Sequence, residues 1–513
     1  MDETNESRRS FLRVAGVAAL SGLCGLPQFG CDEDDQSKRV PTPDGFGELM
    51  EVREGLFRPT ARGATIHWIP NGVVESQVLA GRSESELAVV YDQTSADPVR
   101  VVLDQFDGMR EFHWQIRHRR KGQEKWQTTP TARCRLARRP GETFTAALFA
   151  DSHFDSARNH PKTRENITLG AQAVIDDQPD FGVFIGDEVG ITVGYLRKEP
   201  GVRQDASLAM TRWLEWRQFI GALLANVPTF FVLGNHEGEA GYYQDMNLKG
   251  DIFAQRWSTI ARKRYFLNPL PTTYPEGGED EGWRGSADRE STGGADEGNC
   301  SPLENYFAWT WGDALFAVID VHRYTKAGRN TPRRPEDWSL GAPQRLWLEH
   351  VLGQSNARWK FVLSHHVVGG SKWDSSGKQA QPAYAYGRGG AKYCRIGEQA
   401  MLTDIMKKHG AQFFVYGHDH IFAHQQAEGI HYICCGRPTR VPNTWVTAPG
   451  FMEAYGDYRA RDPHAFIMDV GYTRLTVSPS EVVFEYIKTG MDPDGNENIK
   501  ANVGDVVHRV AVS

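Results

Sequence analysis

From residue 144 onward, short apolar runs stop abruptly at polar residues. The runs are "FTAALFADSH", "DFGVFIGDE", "PTFFVLGNHE", "WKFVLSHH" and "AQFFVYGHDH". Each has the length and composition of a buried strand. Between them lie stretches with helical spacing, notably Lys162 to Ile175, Pro343 to Leu352 and Ile396 to Lys408. Strands alternating with helices predict an α/β layered core, with mixed β-sheets flanked by helices. Residues 465–488, "AFIMDVGYTRLTVSPSEVVFEYIK", alternate well and predict closing strands that carry no chemistry.

The pattern before residue 144 is different. "ATIHWIPNG", "SELAVVYD", "PVRVVLD", "REFHWQIRHRRKG" and "EKWQTTP" are short runs punctuated by turn residues, with no convincing helix between them. They predict an all-β sandwich over residues 50–141. The expected order is a signal segment (1–31), a tether (32–49), the sandwich (50–141), the α/β domain (142–490) and a C-terminal tail (491–513).

Composition narrows the function. A chain of 513 residues with 40% apolar content is long enough for more than one domain and a sizeable core. Lys+Arg total 58 against Asp+Glu 65, so no basic surplus points to nucleic acid. The basic clusters "IRHRRKG" and "RCRLARRPG" are expected on solvated strand faces.

The N-terminal segment "SRRSFLR", with Arg8 and Arg9, precedes the apolar run Val14 to Leu26. It resembles a twin-arginine export signal. A run of about 13 residues is too short to span a bilayer. No later segment reads as transmembrane, so a periplasmic or envelope-associated mature chain is expected. Cys31 follows "LPQFG" and precedes "DEDD". That fits lipid attachment, although Gln28 stands where such sites usually carry leucine; simple cleavage and release is the alternative. Cys134, Cys300, Cys394, Cys434 and Cys435 show no CxxC spacing and cannot all pair with one another.

Ligands of α/β sheets bind beyond the carboxyl ends of strands. The five runs bring Asp151, His153, Asp187, Asn235, His236, His365, His418 and His420 to such ends. One Gly-Asp or Asn-His pair is more often a turn than a site. Five strand ends of the same chemical kind are a site. Seven of these residues, all but His236, are ligand candidates, too many for one four-coordinate zinc. They suit two ions sharing one carboxylate. Mixed nitrogen and oxygen donors point to Mn, Fe, Zn or Co rather than Ca or Mg. Two ions ~3.5–4 Å apart clamp an in-line displacement and acidify bound water.

The blocks "DSH", "GDE", "GNHE", "SHH" and "GHDH", in that order over about residues 144–440, resemble the calcineurin-like metallophosphoesterases. The resemblance implies that Asp151, His153, Asp187 and His420 hold one ion. Asp187 would bridge to a second, held with Asn235, His365 and His418. His236 would face the substrate. The preference for His365 over His366 follows the family pattern. The order of domains, with "ENYFAWTWGDALFAVID" and "LGAPQRLWLEHVL", is similar to bacterial purple-acid-phosphatase-like proteins with an N-terminal fibronectin-III-like domain. The purple type carries a tyrosine ligand in its second block and lacks a histidine in its first. This chain has "GDEVGITV" and His153 there, so neither colour nor iron is implied.

The expected function is therefore an exported dinuclear-metal hydrolase of phosphate esters. Its nucleophile would be hydroxide shared by the two ions, and His236 would serve as acid or as transition-state stabiliser. The motifs do not separate a phosphatase from a phosphodiesterase or phospholipase of the same fold. A non-catalytic surface binding protein is the remaining class; an open site with an intact His236 argues against it. Residues 274–300 form an acidic, glycine-rich excursion, and residues 369–394 follow the His365 block. Lys372, Trp373, Arg388 and Lys392 in the latter are candidates for meeting a phosphate, or else ordinary solvated loop residues.

Overall fold

The computed structural model describes residues 49–154, 160–190, 206–234, 236–237, 258, 261–269, 305–320, 340–366, 396–427, 429–439, 466–497, 499 and 501–513. The signal segment, Arg8, Arg9, Cys31, Cys300, Cys394 and residues 274–300 lie outside them.

The N-terminal strands alternate inward and outward positions around one core. β1 (Met50–Phe57), β2 (Ala64–Pro70) and β5 (Val99–Leu103) form one sheet in the order β1-β2-β5. β3 (Val74–Gly81), β4 (Ala88–Ser95), β6 (Glu111–Arg120) and β7 (Gln127–Thr128) form a second in the order β4-β3-β6-β7, with β8 (Ala132–Arg135) paired to β6. The two sheets enclose Leu56, Ile66, Trp68, Val78, Trp114 and Ile116. Along β6, Phe112, Trp114 and Ile116 point inward, while Arg117 and Arg119 lie over the Trp126 ring at 5.0 and 4.5 Å. The basic cluster on β6 is thus a solvated strand face, as its alternation predicts. The sequence pattern missed β1, β3 and β8.

The α/β core has two sheets. In the first, β9 (Phe144–Phe149), β10 (Phe181–Phe184) and β11 (Thr229–Phe231) run parallel. β19 (Gly471–Val477), β20 (Val482–Lys488) and β21 (Val506–Val512) extend it antiparallel, giving the order β11-β10-β9-β19-β20-β21. In the second, β12 (Phe307–Trp311), β13 (Ala314–Val318), β14 (Trp359–Leu363), β15 (Phe413–Tyr416), β16 (Phe422–Ala427), β17 (Ile430–Cys435) and β18 (Phe466–Ile467) take the order β12-β13-β14-β15-β17-β16-β18. β21 lies within the C-terminal segment 491–513 and adds an edge strand there. Only Val510 of that strand is buried, so its pattern carries little signal.

An aromatic ladder joins the two sheets. Strand register pairs Trp309 with Phe316, Phe316 with Phe361, and Phe361 with Phe413. The ring centroids are 4.9, 4.7 and 4.6 Å apart, matching the ~4.8 Å spacing of strands. Phe230 of the first sheet stacks on Trp309 at 3.9 Å. Helices cover the outer faces. α1 (Pro161–Asp177), α2 (Ala206–Phe219) and α3 (Gly221–Asn226) lie on the first sheet, and α4 (Gly341–Gln354) and α5 (Ile396–Lys408) on the second. α5 has the bounds that its sequence spacing predicts.

The N-terminal sheets are anchored to this core. Val52, Phe57 and Ile69 pack with Trp213, Trp216 and Leu223 of α2 and α3. The fully buried Arg217 donates to the carbonyls of Arg53 at 3.0 Å and His67 at 3.2 Å. A Cβ on Gly55 would lie 2.3 Å from the Arg217 guanidinium, so a larger residue there would push that guanidinium off its two carbonyls. Residues 40–513 form one compact unit. Among the described residues, no helix is long and apolar enough to cross a membrane.

Candidate metal centre

The polar strand ends converge from both sheets. Asp151 and His153 follow β9, Asp187 follows β10 and His236 follows β11; His365 follows β14, and His418 and His420 follow β15. The edge that collects these groups is the meeting line of the two sheets. Asn235, Lys372, Trp373, Arg388 and Lys392 lie outside the described residues.

Strand parity explains His365. Trp359, Phe361 and Leu363 face the space between the sheets, and the same parity continues to residue 365. Its Nδ1 lies 2.7 Å from the Ile185 carbonyl, to which it donates. Its Nε2 lies 3.1 Å from Asp187 Oδ2 and 3.9 Å from Asp151 Oδ1. Anchoring one ring nitrogen on a carbonyl aims the other, which is how ligating imidazoles are oriented. His366 has the opposite parity.

The remaining contacts are equally tight. His420 Nε2 is 3.1 Å from Asp151 Oδ1 and 3.0 Å from His153 Nε2. His153 Nε2 lies 3.7 Å from Asp151 Oδ1 and 3.8 Å from Asp187 Oδ2. Asp151, His153, Asp187 and His420 form one buried group of ligand-type atoms, and His365, His366 and His418 form another. His236 borders the first group. Its Nε2 is 3.6 Å from Asp187 Oδ2, and its ring centroid is 4.5 Å from that of His153.

The backbone is strained where these side chains leave it. Seven described non-glycine residues have positive φ, and five of them are Asp151, His153, Asp187, His418 and His420. Each left-handed residue costs about 1–3 kcal/mol and persists only where its surroundings enforce it. The backbone hydrogen bonds that enforce it are visible. His418 N–H donates to Asp151 Oδ2 at 2.8 Å, and His236 N–H donates to Asp187 Oδ1 at 2.7 Å.

Glu237 organises the loops beneath. Its carboxylate accepts four backbone N–H groups, from Gly234, Asp187, Glu188 and Val189, at 2.7, 3.0, 2.7 and 3.3 Å. It thereby ties the loop after β10 to the loop after β11. A Cβ on Gly234 would lie 2.2 Å from Asp187 Oδ1, so the loops close only around glycine. Sequence reading did not assign Glu237 a role. The signal was its place at the end of "GNHE", an acid directly after two candidate site residues.

Electrostatics distinguish the acids. Burial works to raise Asp187, but His236 and His365 hold it well below the usual carboxylate range. Burial, with Asp187 nearby, pushes Glu237 up to about 8. Burial also raises Glu188 well above its usual value. Burial, reinforced by His236, lowers His153 well below the usual imidazole value, which favours the neutral form that binding a metal would require.

The donor set fits metal ions. Asp187 Oδ2 and His365 Nε2 face each other at 3.1 Å; burial works to lower His365, but the Asp187 carboxylate pushes it up to about 10. The two Nε2 atoms of His153 and His420 also point at one another. Carboxylates and imidazoles buried together at these distances form a set of oxygen and nitrogen donors that would suit a cation. Two oxygen donors and several imidazoles suit borderline transition metals.

Comparison with known proteins agrees. The chain belongs to the calcineurin-like phosphoesterase family, whose model matches residues 144–422. It is thus a metal-dependent phosphoester hydrolase by family. The solved structure of PhoD superposes with a TM-score of 0.62 at 14% identity, covering 91% of this chain and 92% of that one. This likeness shows a shared fold that includes the β-rich N-terminal region. A dimetal phosphatase from Danio rerio gives a TM-score of 0.37 at 13% identity, covering 67% of this chain and 95% of that one. No curated protein matches the sequence.

Proposed function

We propose that this chain is an exported phosphatase that works with two transition-metal ions drawn from Mn, Fe, Zn or Co. Asp151, His153 and His420 would hold one ion, and Asn235, His365 and His418 the other, with Asp187 shared. The observation that carries this reading is the convergence of two carboxylates and four imidazoles from the ends of four strands, two in each sheet. When bound, the ions supply Lewis acidity toward the phosphoryl oxygens and an acidified water.

The chain's own groups do the rest. Asp187 is held by the His236 N–H on one oxygen, which leaves Oδ2 turned toward the imidazoles. Glu237 keeps the two loops in register through its four N–H bonds. The His236 imidazole, beside the first group of donors, delivers a proton to the departing ester oxygen. Lys372 and Arg388, on the segment after β14, meet the phosphate. The N-terminal sheets act as a fibronectin-III-like packing or docking module.

Metal content and hydrolysis of p-nitrophenyl phosphate and bis-p-nitrophenyl phosphate, on one preparation, test the reading. Two equivalents of metal with monoester turnover support it. Preferential diester turnover would make the enzyme a phosphodiesterase. Two bound metals with no turnover on either ester would make it a binding protein. Export is tested separately by changing Arg8 and Arg9 to lysine. This preserves charge, so a twin-arginine route fails and leaves folded precursor in the cytoplasm, whereas normal delivery to the envelope overturns that route.

A further inference from the structure

Among the described residues, His366 is the imidazole at the centre that neither the proposed ligand set nor the leaving-group acid uses. It leaves β14 directly after His365, with opposite strand parity. The two neighbours accordingly have different surroundings. His365 is fully buried and committed at both nitrogens, with Nδ1 on the Ile185 carbonyl and Nε2 facing Asp187 and Asp151. His366 is 7% exposed, close to the 8% of His236 and of His418. Its ring centroid lies 3.6 Å from that of His418 and 5.6 Å from that of His365.

The arrangement has two flanks. His236 borders the group formed by Asp151, His153, Asp187 and His420, with its ring 4.5 Å from that of His153. His366 borders His365 and His418, and its own ligand-type nitrogen lies within 4.8 Å of theirs. His236 thus borders the first group, whereas His366 belongs to the second, with its ring against that of His418.

We propose that His366 is a substrate-contacting residue that donates an N–H hydrogen bond to a non-bridging phosphoryl oxygen. This leaves the proton of the departing oxygen to His236, and it rests on the phosphoester reading above. The division of labour follows from chemistry. A donor on a non-bridging oxygen binds the phosphoryl charge whatever the leaving group is. An acid on the ester oxygen matters in proportion to how badly that oxygen leaves. Product phosphate carries the same non-bridging oxygens, so His366 should also contribute to phosphate binding.

The test uses the metal-loaded full chain and the variants His366→Ala and His366→Gln, the latter keeping an N–H donor of similar reach. Three quantities are measured: metal stoichiometry, inorganic phosphate affinity by calorimetry, and kcat/KM on p-nitrophenyl and alkyl phosphate esters. His366→Ala should keep the wild-type metal content and weaken phosphate binding by about ten- to a hundredfold. It should lower kcat/KM by a similar factor on both esters, and His366→Gln should recover part of each loss. Loss of one metal equivalent would make His366 a ligand and overturn the proposal. So would unchanged phosphate affinity, or a loss confined to the alkyl ester. If the alanine variant does not fold, His366→Gln and His366→Phe carry the comparison, with glutamine expected to bind phosphate more tightly. Absence of turnover in the wild type would count against the phosphoester reading. Phosphate calorimetry would still decide whether His366 touches the anion.

Discussion

His153 and His420 are 267 residues apart in the chain, and their Nε2 atoms stand 3.0 Å from one another. Both imidazoles are buried, and both residues sit on left-handed backbone. Left-handed backbone is a cost that the surroundings must enforce, and the contact itself needs one ring to donate and the other to accept. Asp151 Oδ1, 3.1 Å from His420 Nε2, adds an oxygen to a set of donor atoms that would suit a cation.

The sharing of Asp187 is open to direct measurement. Its Oδ2 lies 3.1 Å from His365 and 3.8 Å from His153, so one oxygen faces a member of each donor group. Asp187→Asn should therefore cost both ions, while His153→Ala should mainly weaken one. Metal analysis of the purified variants decides the matter. Two full equivalents retained by Asp187→Asn would remove the bridging role.

Glu237 should matter without touching either ion. Compared above pH 8, where the Glu237 carboxyl is ionised, Glu237→Gln keeps the shape but replaces one accepting oxygen with an NH2 donor, which then faces backbone N–H groups. Leaving buried N–H groups without acceptors costs about 1–3 kcal/mol each. The expected result is a lower thermal midpoint together with weaker metal retention, since Gly234, Asp187, Glu188 and Val189 lose their common anchor. A variant with wild-type midpoint and metal content would show that the loops hold themselves.

These features differ in how far the sequence displays them. The apolar runs ending in Asp151, Asp187, His365 and His418 are local patterns, so their strands and their polar ends could be read directly. The division of those strands between two sheets could not, because pairing is non-local. The ladder from Trp309 to Phe413 depends on register across four strands. β3 was missed because its outward positions include Glu75 and Gln77, which dilute the apolar run. β21 was missed because only Val510 turns inward. Glu237 was in view as a letter, but its four N–H partners come from two loops about 50 residues apart.

The N-terminal sheets contain an acid-sensitive element distant from the metal centre. His118 is buried, with its Nδ1 2.8 Å from Ser76 Oγ, and burial lowers its pKa to about 3. His67 is buried in the adjacent sheet, and burial, together with Arg217, lowers it well below the usual value. Both are neutral in the folded state and protonate near 6.5 when unfolded, so the unfolded chain binds more protons below that pH. Their contribution is fully present above pH 6.5 and is lost progressively as pH falls toward the folded values. Each histidine should add a slope of about 1.4 kcal/mol per pH unit. Denaturant unfolding between pH 5 and 6.5, comparing the wild type with His118→Gln, should show a shallower pH dependence in the variant. Equal slopes would mean that His118 is protonated in the fold.

The last expectation separates the two roles of His236. Its backbone N–H, not its imidazole, holds Asp187 Oδ1 at 2.7 Å. His236→Ala keeps that N–H, so the Asp187 loop and the bound metals should survive the change. The imidazole is then removed from a prepared site. An alkoxide leaves badly without a proton, whereas p-nitrophenolate leaves well on its own. General acid catalysis typically contributes ~10²–10⁴-fold. His236→Ala should lose roughly that factor in kcat on an alkyl phosphate ester and clearly less on the p-nitrophenyl ester. Equal losses on both would assign His236 to the phosphoryl oxygens, the role inferred above for His366. Loss of metal would make the imidazole a ligand, and the seven-residue donor set would have to be redrawn around the 3.6 Å contact between His236 Nε2 and Asp187 Oδ2.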